Sequence, residues 1–503
     1  MQVRVRMYRQ GLGDCFLVTF GSGNDARHVL IDCGTLGATT TGVKLADVVG
    51  DIHATTGGHL DLLVATHEHQ DHVSGFRSQK AKFDTIAVDN VWLAWTENPA
   101  DALAQQIEQH TDDLGLALAA ASKALRASGS PESQALGEAV HDVLGFVDDT
   151  IFGAGEFAET VHEAMENVRV SMGSSPREAK YLNPGTVEEP DWLPGFRVFV
   201  LGPPRSEDAL NVLGEHGSDE LYGVASGLLT GAQYRLSGEP LDAYVQRIDH
   251  PGERSAFEAS LPFDSRFRHD MRSPAAQDLL RDTYLEEGQE WRRIDDDWLH
   301  VAADLALQLD NATNNTSLAL AIERVADGRV LLFVADAQQG SWMSWHEPSA
   351  KWQVTDAHGG TQEIVASDLL ARTVFYKVGH HASHNATASR NGLELMRRED
   401  ELTAFIPVDR AVALKRHPKG SWKMPAKALY RALLEHCQGR VVRSDLGWAD
   451  DAANATNKAA EKELKDLATD DEWSDWKQSQ QAAEASGQVA IGPLFVDYVL
   501  PKP

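Results

Sequence analysis

Cysteine is scarce in this chain: only Cys15, Cys33 and Cys437 occur among 503 residues. Three thiols cannot form a disulfide framework, and the first two stand in apolar strand patterns, so we expect buried thiols rather than metal ligands. No run of about eighteen apolar residues is present that could cross a membrane. Met1–Gln10 reads as a charged, alternating strand instead of an export signal. We therefore expect a cytoplasmic protein without a membrane partner.

Basic residues are also in deficit, because 46 Lys and Arg face 75 Asp and Glu, which gives a net charge of −29. A chain this acidic is repelled on average by a phosphate backbone, which argues against non-specific binding of long duplex DNA. The exception is the stretch 408–427, here called the basic run. It contains Arg410, Lys415, Arg416, His417, Lys419, Lys423 and Lys427. We predict that Lys415, Arg416 and Lys423 bind substrate phosphate; the alternative is a solvated loop.

Residues 66–76 place four candidate metal ligands in one short turn. The stretch reads Thr-His-Glu-His-Gln-Asp-His-Val-Ser-Gly-Phe, and its candidate ligands are His67, His69, Asp71 and His72. The apolar pattern Leu60–Ala65 before it predicts a buried strand, and open α/β sheets place their sites at the carboxyl ends of strands. Imidazole suits zinc, manganese or iron, and a carboxylate between imidazoles favours a second cation nearby. The sequence therefore predicts a two-metal centre.

Two later apolar strands run into further candidate ligands. Val330–Ala335 is followed by Asp336, and Thr373–Gly379 is followed by His380 and His381. A bridging carboxylate and an additional imidazole are what a binuclear site needs. Taken alone, Asp336 also fits an ordinary strand-end or capping residue, and a histidine pair fits a polar loop. Because neighbouring residues at a strand end point in opposite directions, we expect one histidine to bind metal and the other to face substrate.

These residues resemble the HxHxDH signature of the metallo-β-lactamase-fold hydrolases. A narrower resemblance is to the hydrolase domain of the bacterial competence DNA-uptake channel, the ComEC-like branch. It extends over residues 1–95, 195–205 and 310–450. The further motifs that carry it are Gly11–Cys15 (GLGDC), Leu30–Gly34 (LIDCG), Asn314–Leu318 (NNTSL), His380–Ser383 (HHAS) and Arg443–Gly447 (RSDLG).

The chain departs from these relatives at several positions. His69 stands where the ComEC-like branch often has Asp, and Met424 stands where it usually has His. The middle-strand histidine of many superfamily members is absent, because Gly202-Pro203-Pro204 follows the strand pattern Arg197–Leu201. We therefore expect the first metal position to have only His67, His69 and shared ligands.

The resemblance implies an α/β fold, the four-layer αβ/βα metallo-β-lactamase sandwich, with large and partly helical insertions. It implies two divalent metal ions, with Zn²⁺ favoured over Mn²⁺, and a metal-bound hydroxide as the nucleophile. The implied metal ligands are His67, His69, Asp71, His72, Asp336, His380 and His381. Catalytic roles fall on Asp71, His380 and His381. Asp14 and Asp32 are expected to hold the histidines or to shape the strand turns.

Neutral side chains near these motifs are candidate donors to substrate. We expect Asn314, Asn315, Ser383 and His384 to supply hydrogen bonds to transition-state oxygens. An Asn-Asn pair before a strand equally fits turn chemistry. The sequence leaves both interpretations of Asn314 and Asn315 open.

Composition and periodicity predict how the chain is organised. We expect the first half of the fold at 1–96, a helical insertion at 97–190, the second half at 191–450 with a further insertion at 206–300, and a C-terminal helical segment and strand at 451–503. Strands are predicted at Gln2–Tyr8, Cys15–Phe20, His28–Asp32, Ile86–Ala94 and Ala490–Leu500. Helices are predicted at Gly42–Thr55, Leu103–Ile107, Leu114–Leu125, Phe157–Val168, Ala276–Glu287 and Asp296–Leu309.

Three function classes remain open. The resemblance favours a metal-dependent phosphodiesterase or nuclease, and small phosphoesters fit the acidity better than long nucleic acid. The second class is a module that binds a protein partner through the helical insertion and has weak or regulated hydrolase activity. The third is hydrolysis of a lactone, thioester or β-lactam, of which the β-lactam is disfavoured because no export signal is recognised.

Overall fold

Two large mixed β-sheets organise the chain, which therefore has a mixed α/β architecture. The computed structural model describes residues 1–37, 39–127, 131–144, 159–171, 178–206, 210, 273–279, 281, 301–355, 359–415, 422–450, 461–464 and 467–503. The predicted residues Arg416, His417 and Lys419 of the basic run, and most of the predicted insertion at 206–300, lie outside these ranges. The predicted domain boundaries stay a prediction.

The described strands are short and mostly buried. They are β1 (Val3–Tyr8), β2 (Cys15–Phe20), β3 (Arg27–Cys33), β4 (His59–Val64), β5 (Ala87–Ala94), β6 (Lys180–Leu182), β7 (Val187–Glu188), β8 (Phe196–Gly202), β9 (Ala319–Arg324), β10 (Arg329–Phe333), β11 (Lys351–Thr355), β12 (Thr361–Val365), β13 (Thr373–Lys377), β14 (Thr403–Ile406), β15 (Val441–Arg443), β16 (Gly447–Trp448), β17 (Val489–Ile491) and β18 (Phe495–Leu500).

The two sheets have eight strands each among the described residues. Their orders are β17-β18-β1-β2-β3-β4-β5-β6 and β16-β15-β14-β13-β10-β9-β8-β7, and β11 and β12 form a separate hairpin. In the first sheet β3 to β6 run parallel, and in the second sheet β10, β13, β14 and β15 do. The remaining neighbours are antiparallel. Parallel strands bury both faces, so each sheet needs a covering layer on its outer side.

Aromatic and branched side chains join the inner faces of the sheets. Phe16 of β2 meets Phe333 of β10 edge to face at 5.9 Å between ring centroids, and Phe20 meets Phe196 at 4.8 Å. All four belong to one buried cluster drawn from both sheets. Each buried Phe contributes roughly 1.5–3 kcal/mol relative to exposure. This shared core fixes the sheets against each other.

Thirteen helices are described, and several of them cover the outer faces of the sheets. They are α1 (Leu45–Thr56), α2 (Gln70–Ser78), α3 (Lys80–Phe83), α4 (Ala102–Arg126), α5 (Pro131–Leu144), α6 (Glu159–Glu166) with a π-helical turn Asn167–Ser171, α7 (Pro274–Leu279), α8 (Val301–Asn315), α9 (Gln339–Ser344), α10 (Ala366–Ala371), α11 (Arg410–Ala413), α12 (Lys427–His436) and α13 (Asp470–Ala485). Val48 and Ile52 of α1 pack with Leu63 on the first sheet. Trp342 of α9 and Leu433 of α12 pack on the second sheet. None of the described helices is both long and apolar enough to cross a membrane.

Most predicted strands are confirmed, and Cys15 and Cys33 are buried free thiols as expected. The single strand predicted at Ala490–Leu500 is wrong. It is two antiparallel strands, β17 and β18, because Gly492-Pro493 interrupts the run and the Gly492 amide donates to the Phe495 carbonyl at 2.9 Å. Proline cannot donate to a sheet ladder, so a turn forms there.

Two predicted helices in the first insertion are one continuous helix, α4. It begins after Asp101, whose carboxylate accepts hydrogen bonds from the amides of Leu103 and Ala104 at 3.0 and 3.2 Å. Such a cap satisfies amides that would otherwise lack partners. The helix predicted at Asp296–Leu309 continues to Asn315, so Asn314 and Asn315 are its last residues rather than a turn.

The carboxyl ends of the parallel strands of both sheets meet at one edge of the molecule. β3 ends near Asp32, β4 leads into Thr66 and His67, β10 leads into Asp336, β13 leads into His380, and β14 leads into Pro407. Hydrogen bonds between these ends, described below, join the two sheets there. The fold therefore collects the sequence motifs at a single location.

Candidate metal centre

The motif residues adopt their positions because α2 begins directly after β4. His69 is the residue before the helix, and its carbonyl accepts hydrogen bonds from the amides of His72 and Val73 at 3.0 Å each. Asp71 and His72 therefore lie in the first turn, with fully buried side chains. The strand-to-helix transition directs them toward the second sheet.

Four side chains converge in one buried cluster, here called the ligand cluster. It consists of Asp71, His72, Asp336 and His381, each offering a ligand atom within 4.8 Å of the others. His381 Nε2 lies 2.6 Å from Asp71 Oδ2, and His72 Nε2 lies 3.3 Å from Asp336 Oδ2. The structure thus brings together residues more than 300 positions apart in sequence.

His67 and His69 adjoin the ligand cluster. His67 Nε2 lies 3.1 Å from His69 Nδ1, and the rings of His67 and His72 are 4.2 Å apart between centroids. Burial is the largest cause that lowers the pKa of both residues, to about 4 for His69. Both imidazoles are therefore neutral at pH 7, which is the form that binds metal ions.

His380 lies outside the ligand cluster. Its Nδ1 is 2.9 Å from Ser383 Oγ and 3.3 Å from Gln338 Nε2. Burial lowers its pKa to about 4. The two neighbouring histidines thus occupy different environments, with His381 among the candidate ligands and His380 beside polar side chains.

Hydrogen bonds that Nδ1 donates orient the cluster histidines. His72 Nδ1 donates to Asp32 Oδ2 at 2.8 Å, and Asp32 also accepts from the amide of Thr66 at 2.8 Å. His381 Nδ1 donates to the Pro407 carbonyl at 2.6 Å. Since a carbonyl only accepts, this bond places a proton on Nδ1 and turns Nε2 toward the cluster. Such outer partners fix the tautomer of metal-binding histidines.

Lys377 lies beside Asp336, and the sequence did not predict this contact. Its ammonium is 3.1 Å from Asp336 Oδ1 and 2.5 Å from Asp14 Oδ2. The amide of His380 also donates to Asp336 Oδ1, at 2.9 Å. The Oδ1 atom of Asp336 is therefore held by these donors, and its Oδ2 atom faces His72 and His381. Asp14 contacts the lysine, and its distance of 3.8 Å from His72 Nδ1 is too long for a hydrogen bond.

The ionisable groups of the cluster stabilise one another's charged forms. Burial alone would lower the pKa of His72, yet Asp336, Asp14 and Asp71 raise it well above its usual value. Burial alone would raise the pKa of Asp336, yet His72 and Lys377 lower it well below its usual value. The carboxylates therefore attract positive charge, and a divalent cation would compete with protons for the histidines.

The donor set fits a divalent metal ion. Asp71 Oδ1 and His72 Nε2 are buried and make no hydrogen bond with any described residue. Leaving such an atom unsatisfied costs about 1–3 kcal/mol, and a bound cation would satisfy both. Two imidazoles with two carboxylates suit zinc, and manganese accepts the same donors.

Glycines behind the motif allow the close approach of three loops. The Asp14 amide donates to the Asp71 carbonyl, and the Gly34 amide donates to the Asp14 carbonyl, both at 2.9 Å. A Cβ added at Gly34 would lie 2.3 Å from the carbonyl carbon of Asp71. The GLGDC and LIDCG motifs therefore form the support under Asp71 and His72.

Backbone strain is concentrated at the same place. The non-glycine residues with positive φ include Asp32, Ala335, His380, His381 and Ala382, with values of 55, 48, 42, 51 and 61°. Each such conformation costs of order 1–3 kcal/mol and persists only where the surroundings impose it. Strain of this kind is typical of residues that are held for function.

We expect the substitution Gly34→Ala to abolish metal binding and to lower the free energy of unfolding by more than about 1–3 kcal/mol, because its methyl group would overlap the Asp71 backbone. The matched control is Gly50→Ala in α1, where a Cβ meets nothing within 4 Å. Chemical denaturation and zinc titration of both variants make the test. Wild-type metal binding in Gly34→Ala would contradict the supporting role.

The predicted substrate residues fall into different settings. Ser383 is buried against His380, whereas His384 is exposed. The side-chain amide of Asn315 donates to the Leu210 carbonyl at 3.1 Å, and the side-chain amide of Asn314 donates to Asp310 Oδ2 at 3.2 Å. Both asparagines are fully buried at the end of α8.

Among the described members of the basic run, Arg410 is not a surface cation. Arg410 is buried, and its guanidinium donates to the carbonyls of Met424 and Pro425 at 3.0 and 3.2 Å. The Arg410 guanidinium therefore supports the backbone of a neighbouring loop and does not face solvent. Lys415 and Lys423 are exposed, and Arg416 lies outside the described residues.

An acidic cavity of about 90 Å³ borders the motif at Glu68. Its charged lining consists of Glu68, Glu97, Glu108, Asp112 and Arg169. Burial is the largest cause that raises the pKa of Glu97 well above its usual value, and Glu68 is the next. Four carboxyl groups against one guanidinium make this cavity unfavourable for a polyanion.

Neither the models of known protein families nor the curated proteins include a match to this chain.

Proposed function

We propose that the protein is a metal-dependent hydrolase of phosphodiester bonds, with the four-layer metallo-β-lactamase sandwich and a centre for two divalent ions. The observation that carries this proposal is the convergence of Asp71, His72, Asp336 and His381 next to His67 and His69. Two face-to-face sheets with outer helices support the fold assignment. The resemblance to the ComEC-like motifs supports the substrate class.

The chain's own residues would hold and orient the centre. The residues that would hold the two ions are His67, His69, Asp71, His72, Asp336 and His381. Bound ions would acidify a water molecule and polarise the scissile bond. Lys377 and the His380 amide keep Asp336 in place, and Asp32 and the Pro407 carbonyl keep the histidines in place.

His380 is suited to contact substrate. Its imidazole is neutral at pH 7 because burial lowers its pKa to about 4. Ser383 and Gln338 fix the ring from the Nδ1 side. A fixed, neutral imidazole beside the ligand cluster would donate a hydrogen bond to a substrate oxygen without adding charge.

Small phosphodiesters are favoured over long nucleic acids. The net charge of −29 repels a polyanion. The acidic cavity next to Glu68 would repel a phosphate chain that extended past the motif. A substrate with one phosphodiester avoids both costs, since only its reacting phosphate needs to reach the cations.

We expect the protein to hydrolyse bis(p-nitrophenyl) phosphate or a cyclic nucleotide when zinc or manganese is added. This turnover should exceed the turnover of single-stranded DNA and RNA. His381→Ala should lose this activity. His59→Ala is the control, because His59 pairs with Asp89 at the surface, away from the ligand cluster. Hydrolysis of a lactone without any phosphodiester turnover would reassign the protein to acyl hydrolysis.

A further inference from the structure

The metal position formed by His67 and His69 lacks a third protein donor of its own. Zinc usually takes three or four protein ligands, and the shared carboxylate of Asp336 makes only three with these two histidines. The strand β8, which could have delivered another imidazole, ends at Gly202 and is followed by Pro203, whose carbonyl accepts a hydrogen bond from Trp95 Nε1 at 3.0 Å. A fourth protein donor would have to come from an element other than β8.

Asp310 of α8 reaches the histidine side of the centre. Its Oδ1 lies 3.9 Å from His69 Nε2, and the residue is only 8% exposed. The other oxygen, Oδ2, accepts a hydrogen bond at 3.2 Å from the side-chain amide of Asn314, one helical turn away. Asn314 therefore anchors the carboxylate and leaves Oδ1 directed toward His69.

The Asp310 Oδ1 atom is buried and accepts no hydrogen bond from any described residue. Burying a carboxylate without a partner is strongly unfavourable unless a cation is near. No described lysine or arginine forms an ion pair with this carboxylate, whose nearest ionisable partner is His69.

We propose that Asp310 supplies the carboxylate donor that completes the metal position of His67 and His69. Asp310 Oδ1 approaches the His69 imidazole at 3.9 Å from Nε2, while Nδ1 of the same ring faces His67, so the carboxylate lies beside the imidazole whose ion it would help to hold. This role rests on the metal centre of the proposed function and is independent of its substrate. The donor comes from a helix, and no sequence motif marks it.

The test is the zinc stoichiometry of Asp310→Asn. Asparagine keeps the shape of the side chain, but its neutral oxygen is a poor zinc ligand. We expect two zinc equivalents in the wild type and one in Asp310→Asn after equilibrium dialysis, with at least about 100-fold weaker binding of the second. Asp310→His places an imidazole donor at the same helix position and should recover part of that binding.

Thr313→Ala is the matched control on α8, because the Thr313 hydroxyl donates only to the Leu309 carbonyl of its own helix. It should retain two equivalents. Metal-free Asp310→Asn should melt at the same or a higher temperature than the wild type, since it removes an unpaired buried carboxylate. This melting comparison also shows that the variant is folded.

The possible failures are distinguishable. Two equivalents in both the wild type and Asp310→Asn would overturn the role of Asp310 and leave the proposed function standing. One equivalent in both proteins would also overturn it, because the His67 and His69 position would then hold no ion. A wild type that binds no zinc would overturn the metal centre and the role of Asp310 together.

Discussion

Asp336→Asn is expected to remove at least one metal ion and to lower phosphodiester turnover by more than about 100-fold. The substitution preserves shape and keeps an oxygen for the Lys377 ammonium and the His380 amide. It removes the negative charge that would hold two dications close together. Metal content by mass spectrometry and turnover of bis(p-nitrophenyl) phosphate should therefore fall together.

The matched control for this prediction is Asp84→Asn. Asp84 also pairs with a cation, the Lys80 ammonium, at 2.8 Å, but the pair lies at the surface. Metal content and turnover should be unchanged in this variant. If Asp336→Asn itself kept both quantities at the wild-type level, the two-ion mechanism would be wrong.

Strand ends and ligand types in this chain could be predicted because they depend on local pattern. A run such as Leu60–Ala65 has to be buried, and its end is fixed by the polar residues that follow. β10 and β13 are apolar in the same way, so Asp336 and His381 could be placed at strand ends from sequence. Their convergence required only that parallel strands end on one side.

The sequence predicts that His380 and His381 have different environments, but the structural cause differs from the predicted one. Alternation along a strand predicted opposite directions, but β13 ends at Lys377 and the two histidines lie in a 3₁₀ turn with positive φ. The turn, rather than the pleat, places His381 among the ligands. Positive φ at two bulky residues has no local sequence signal.

Asp310 and Lys377 could not be assigned because their partners come from distant segments. Asp310 lies in a helix pattern, where an acidic residue ordinarily faces solvent. Lys377 ends an apolar run, which hints at a partner, but the run does not say that the partners are Asp14 and Asp336. Asp336 follows β10, the strand next to β13 in the same sheet, and Asp14 reaches the ammonium because the first sheet packs against the second.

Lys377→Met is expected to lower the free energy of unfolding of the metal-free protein by about 3–5 kcal/mol at pH 7.5. Methionine fills a similar volume, but it leaves the buried carboxylates of Asp14 and Asp336 without the ammonium that contacts both. Urea denaturation measures the loss. Lys351→Met is the control, because the Lys351 pair with Glu363 is exposed and should contribute within about 0.5 kcal/mol.

The deficit of Lys377→Met should shrink at pH 5.5 and on addition of zinc. Burial already raises the pKa of Asp14 to about 6 with the lysine present, and removing Lys377 raises it further. A carboxyl group whose pKa is higher in the folded than in the unfolded state binds extra protons on folding, so stability increases as the pH falls. Zinc returns a cation to Asp336 and stabilises the folded state by mass action. A loss that is constant from pH 5.5 to 8 and unaffected by zinc would mean that Lys377 acts through packing alone.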